Sequence, residues 1–139
     1  MTSPKGLTYI TRRMEFHAAH PLRKDHAKDL INKSSIRENA HWHGHHFELY
    51  ITVKGFPDPI TGFVIDLKEL KLLIQTLVID QLDHKNLQEN VSFLKGLVPS
   101  IENLAIQIWE ILKTDLSNCE MHCVRIVETQ NNFVEYFGE

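Results

Sequence analysis

Four histidines fall within six residues in His41-Trp42-His43-Gly44-His45-His46, and Phe47-Glu48-Leu49-Tyr50-Ile51-Thr52-Val53 follows at once. The second run reads as a strand with Phe47, Leu49, Ile51 and Val53 on one face. Side chains two apart on a strand point the same way, so His41, His43 and His45 continue that apolar face. A lone imidazole on such a face is usually a hydrogen-bonded core residue. A His-x-His pair at the mouth of the face can instead bring two ring nitrogens onto one zinc ion at about 2.0–2.1 Å. Gly44 leaves room for a close approach to the backbone between them.

A third ligand is available upstream. Leu7 to about His20 reads as the first strand, with Met14, Phe16, Ala18 and His20 on one face and Arg13, Glu15, His17 and Ala19 on the other. His20 ends an apolar face as His43 and His45 begin one. Antiparallel pairing of the two strands therefore gathers three imidazoles at one end of a sheet. Three protein ligands and an open fourth position are the catalytic form of a zinc site.

Pro21 to Ala40 is a long polar connection, tacked down by Leu30 and Ile31, with room for a short helix. After the turn-rich Lys54–Gly62, Phe63-Val64-Ile65 is read as extended. Asp66 is a helix N-cap with Glu69 at the capping-box offset. Leu67, Leu70, Leu73, Ile74, Leu77 and Val78 then form the buried stripe of a helix. Asp83-His84 falls outside regular structure. It is either a surface turn or an acid–base pair in which the carboxylate fixes the imidazole's tautomer. Ser100 caps a second helix with Ile101, Leu104, Ala105, Ile108 and Leu112 buried and Trp109 at the border. A third strand covers about Met121 to Glu128, with His122, Val124, Ile126 and Glu128 on one face. Glu128 at the end of that face needs donors. The last strand is Phe133 to Phe137. The order β-β-α-α-β-β makes an α+β fold, an antiparallel β-sheet with two helices on one face.

Composition bounds the rest. The 139 residues point to one domain, 1–139, and the formal charge of −3 lacks the basic stripe that nucleic acid demands. No apolar run approaches the ~20 residues of a membrane span. Met1 to Gly6 carries no hydrophobic signal region, so a cytoplasmic location is expected. Cys119 and Cys123, on one extended stretch, lie about 13 Å apart. That is beyond the ~7 Å a disulfide tolerates. With His122 they are either a metal cluster or small strand residues.

These stretches, taken in order, resemble the 6-pyruvoyl-tetrahydropterin synthase family, which includes the 6-carboxytetrahydropterin synthases of queuosine biosynthesis. The resemblance runs from Phe16 onward. It is carried by Phe16-His17-Ala18-Ala19-His20, His43-Gly44-His45, Asp58-Pro59-Ile60-Thr61-Gly62-Phe63-Val64-Ile65-Asp66 and Leu82-Asp83-His84-Lys85-Asn86-Leu87, then Glu102-Asn103-Leu104-Ala105, Glu128-Thr129 and Gly138-Glu139. The resemblance implies a T-fold (tunnelling fold). Its subunits associate through their sheets into trimers and then a hexamer, with active sites between subunits. It implies zinc on His20, His43 and His45, the three reached by strand parity, and 7,8-dihydroneopterin triphosphate as substrate. It also implies a pterin anchor at Glu128 and a proton relay at Asp83 and His84. For the triphosphate, Arg23, Lys24 and Lys85 are the basic candidates. The family's usual base is a cysteine shortly before His-Gly-His, but Ile36-Arg37-Glu38-Asn39-Ala40-His41-Trp42 holds none. Relatives with a glutamate there cleave the side chain to a 6-hydroxymethyl pterin. Glu38 is the corresponding candidate, at a longer offset from His43 than in that subgroup, and His41 is the other. A pterin- or zinc-binding protein without turnover is the reading from another class.

Overall fold

The structure is a computed structural model that describes residues 5–20 and 43–139, without the side chains of His20 and His43. The expectations for Arg23, Lys24, Leu30, Ile31, Glu38 and His41 lie outside the described residues.

Strand β1 (Thr8–His20) pairs antiparallel with β2 (His43–Gly55) along its whole length, from Thr8 opposite Gly55 to His20 opposite His43. The alternation in both sequences sets this register, because a slip of one residue would turn every apolar side chain outward. Phe16 and Phe47 stack with ring centroids 5.0 Å apart. Phe47, Leu49, Ile51 and Val53 have no solvent contact. Full burial of such a side chain contributes about 1.5–3 kcal/mol.

Helix α1 (Leu67–Ile74) is capped by Asp66, which accepts from the Lys68 N–H at 2.8 Å. One π turn (Gln75–Ile79) and α2 (Asp80–Leu82) continue it. The extra residue in the π turn rotates the buried stripe. Val78, Ile79 and Leu82 are buried, whereas Leu67, expected in the stripe, is 56% exposed. Phe63-Val64-Ile65 forms no strand. Asp58 folds that segment back, its carboxylate accepting from the Ile60 and Thr61 N–H groups and its backbone N–H donating to the Phe63 carbonyl.

Strand β3 (Lys85–Asn86) is an addition to the expected order and runs parallel to β1 at Ala18 and Ala19. A 3₁₀ turn (Ser92–Leu94) leads to helix α3 (Ile101–Lys113), capped as expected by Ser100, whose hydroxyl accepts from the Asn103 N–H. Strands β4 (Glu120–Thr129) and β5 (Asn132–Tyr136) complete an open sheet of order β3-β1-β2-β4-β5. The helices bury one face of this sheet, with Leu104, Ile108 and Leu112 packed into the same core as Phe16 and Phe47.

Two details of β4 differ from the sequence reading. The β2–β4 register jumps between Thr52 and Val53, which pair with Cys123 and Met121. The extra residue of this bulge reverses the alternation. Met121 takes the core position, and His122, expected beside Val124, packs edge-on against Tyr9 at 4.6 Å. Cys119 and Cys123 are unpaired, and burial raises both thiols above their ordinary pKa.

Gly138 has φ +83°, and a Cβ there would lie 2.4 Å from a Trp109 ring carbon. Trp109 is itself held edge-on against Tyr136 at 5.4 Å. Gly138→Ala is expected to cost about 1–3 kcal/mol through overpacking and left-handed strain. Thermal unfolding checks this; an unchanged midpoint would mean the segment moves off Trp109 at no cost.

Candidate functional site

The register that pairs Phe16 with Phe47 also sets Ala18 against His45 and His20 against His43. Positions 20, 43 and 45 therefore continue the parity of the core-facing residues, as strand alternation predicts. The His45 side chain is 27% exposed, at the rim of the core, 5.6 Å from the Phe47 ring. Its Nε2 lies 3.7 Å from Glu128 Oε1. The carboxylate ending the Val124–Ile126 face thus stands beside an imidazole at a half-buried position, at a separation longer than a hydrogen bond.

Asp83 and His84 stand at the edge of the sheet, between α2 and β3. The carboxylate of Asp83 accepts from the His17 backbone N–H at 2.8 Å, and its other oxygen is 3.7 Å from His84 Nε2. Among the described residues, His84 is the one non-glycine with positive φ, at 56°. Its N–H donates to the His17 carbonyl at 2.6 Å, so the parallel pairing of β3 holds the left-handed turn in place. The ring of His84 lies parallel to that of His17, 5.6 Å away.

His17 and His46 are members of this cluster to which the sequence reading gave no role. His46 Nδ1 and His17 Nε2 are 3.0 Å apart. The signal was present: pairing His20 with His43 forces His17 opposite His46 and Glu15 opposite Glu48. Both histidines fall on the polar side of the alternation.

The sequence profile described as 6-pyruvoyl tetrahydropterin synthase matches residues 9–139. A 6-pyruvoyl tetrahydrobiopterin synthase from Poecilia reticulata is 38% identical, covering 94% of this chain and 90% of its own. The solved structure of Caenorhabditis elegans 6-pyruvoyl tetrahydropterin synthase superimposes with a TM-score of 0.78 at 35% identity, covering 100% of this chain and 99% of its own. A dihydroneopterin monophosphate aldolase from Pyrococcus furiosus is 30% identical over 77% of this chain and 76% of its own. This chain belongs to the 6-pyruvoyl tetrahydropterin synthase family.

As a member of the 6-pyruvoyl tetrahydropterin synthase family it is a lyase-type pterin enzyme with the T-fold. A hollow of about 480 Å³ at the end of its sheet is lined by His45 and by His17, His46 and His84. His45 lines it from the core side, His17 and His84 from the open side, with Lys85 and Asn86 between. Of the basic candidates for the triphosphate, Lys85 borders this hollow. A larger hollow, about 1040 Å³, lies among Phe56, Phe63 and Cys119 and holds none of the candidate site residues. Chemistry, not volume, singles out the smaller one.

Proposed function

We propose that this chain is a zinc-dependent enzyme acting on 7,8-dihydroneopterin triphosphate, by proton transfer with triphosphate elimination or side-chain cleavage. The observation that carries the reading is the meeting of His45 with Glu128, 3.7 Å apart, where the backbone register also sets His20 against His43. His20, His43 and His45 would supply three imidazole ligands, a set that suits zinc. When bound, that ion supplies Lewis acidity, which makes C–H and O–H protons beside the substrate's hydroxyls easier to remove.

The chain's own residues have separate tasks. Glu128 accepts two parallel hydrogen bonds from the pterin ring N–H and exocyclic amine. Asp83, pinned by the His17 N–H, orients His84, and His84 holds or delivers a proton at Nε2. Lys85 borders the same hollow and offers a cation to the triphosphate. Among the described residues β3 and β5 are the edges of the sheet, and hiding them by association supports a hexamer built as a dimer of trimers, with sites shared between subunits. One domain over 1–139 and a cytoplasmic location complete the proposal.

The base decides the product. No cysteine lies in 36–42, so a carboxylate at Glu38 is the leading candidate and His41 the other. The aldolase name of the Pyrococcus furiosus relative supports the cleavage branch, to a 6-hydroxymethyl pterin. The names of the other relatives support a 6-pyruvoyl product. A 6-carboxy product would tie the chain to queuosine biosynthesis. The missing cysteine also favours a second reading, a pterin- or zinc-binding protein without turnover. The Asp83–His84 arrangement speaks against it, since storage needs no strained acid–base pair.

Mass spectrometry of the product from zinc-loaded protein and 7,8-dihydroneopterin triphosphate tests this. A 6-pyruvoyl or 6-carboxy product selects elimination, and a 6-hydroxymethyl product selects cleavage. Unconsumed substrate at full zinc occupancy rejects the enzyme reading. Glu38→Ala is expected to lower turnover about 10²–10⁴-fold with zinc retained, the usual contribution of a positioned base. Full activity would move the base elsewhere.

A further inference from the structure

The open face of the sheet carries a line of polar side chains that pterin chemistry leaves partly unused. It begins at Arg13, whose guanidinium donates to Glu15 at 2.5 Å and to Glu48 at 2.6 Å. That cation holds both carboxyls below the usual carboxylate range, so Glu15 is ionised and can only accept. Glu15 Oε1 lies 3.5 Å from His46 Nε2, which assigns the proton of neutral His46 to Nε2 and leaves Nδ1 an acceptor. His17 Nε2, 3.0 Å from that acceptor, must then donate. Neutral His17 is left with a bare lone pair at Nδ1.

That lone pair faces Asp83 Oδ1, 4.0 Å away. Two acceptors cannot bond each other, and 4.0 Å exceeds any hydrogen bond. The carboxylate cannot turn away, because the His17 N–H holds it at 2.8 Å. Its other oxygen is 3.7 Å from His84 Nε2, and the three ligand atoms all lie within 4.8 Å of one another. A ring nitrogen of His17, one of His84 and a carboxylate oxygen of Asp83 lie in one group, and the His84 tautomer with its proton on Nδ1 offers Nε2 as a ligand. Bonds of about 2.0–2.1 Å in a tetrahedral site place ligand atoms roughly 3.3–3.4 Å apart. The ligand atoms must draw together by up to about 1.5 Å, mostly through His84, whose side chain is 78% exposed.

We propose that His17, Asp83 and His84 form a second divalent transition-metal site, separate from His20, His43 and His45, with His46 fixing the tautomer of His17. An ion there occupies the lone pair of His84 and the Asp83 carboxylate, so metal in excess inhibits turnover. That consequence rests on the proposed role of the Asp83–His84 pair; the binding itself does not.

The test is zinc per chain, by equilibrium dialysis and mass spectrometry, on protein first stripped with a chelator. Wild type is expected to bind one ion tightly and a second more weakly. His17→Ala and His84→Ala each lose the weaker ion and keep the tight one; His43→Ala does the reverse. His46→Ala weakens the second site about 10- to 100-fold, the usual loss when a partner of a metal-bound histidine is removed. His17 and His84 are exposed, and circular dichroism verifies that each variant is folded. Saturation of wild type at one ion that both His17→Ala and His84→Ala retain overturns the proposal. If those two variants lose an ion while His43→Ala loses none, the second site stands and the three-histidine assignment falls.

Discussion

His43→Ala is expected to strip tightly bound zinc, lowering affinity by more than about 100-fold. Removing a hydrogen-bond partner outside the coordination shell already costs 10–100-fold, and removing one of three ligands costs more. The variant should remain folded. β1 and β2 are paired along thirteen residues, and the shared core of Phe16, Phe47, Leu49 and Ile51 begins beyond position 43. Loss of metal with unchanged circular dichroism therefore reads out ligation and not unfolding. The measurement belongs in a His17→Ala background, so that the weaker ion proposed on the open face cannot mask the result. Stoichiometric zinc in that double variant would remove His43 from the site and, by register, question His20 opposite it.

The sequence made the candidate site legible wherever alternation governs. Phe16 and Phe47 fall on the expected face because strand parity is fixed by burial, Glu128 stands beside His45, and a single register aligns positions 20 and 43. Three features were not legible. The π turn at Gln75–Ile79 carries no residue type that announces it; packing of Val78, Ile79 and Leu82 selects it. The bulge at Met121–Cys123 inverts a parity that the residues themselves, all tolerable on either face, do not betray. The third is the open-face cluster of His17, His46 and Asp83. Polar residues on a strand ordinarily face water, and only the pairing of two strands with the turn after α2 turns them into a group. Grouping on the polar face thus depends on tertiary contacts, whereas the apolar face is set by alternation.

Glu128→Gln is expected to raise KM for the pterin substrate about 10- to 100-fold. The carboxylate accepts from two N–H donors on one edge of the ring. A glutamine offers one acceptor oxygen and turns an NH₂ toward the second donor. The loss of one charge-assisted hydrogen bond is worth about 1.5–3 kcal/mol, and a donor left facing a donor adds to it. Ring anchoring is equal in ground and transition states, so kcat should fall far less than kcat/KM. Glu128 also stands 3.7 Å from His45 Nε2, which gives it a second conceivable task, orienting a metal-bound imidazole. The two tasks separate cleanly. An anchor raises KM at constant zinc occupancy, and the affinity for a pterin lacking the triphosphate falls in parallel. A partner of His45 lowers zinc affinity about 10- to 100-fold and leaves pterin affinity of the fully loaded enzyme alone. Unchanged pterin affinity would place the anchor elsewhere and recast the His45–Glu128 contact as part of the metal site.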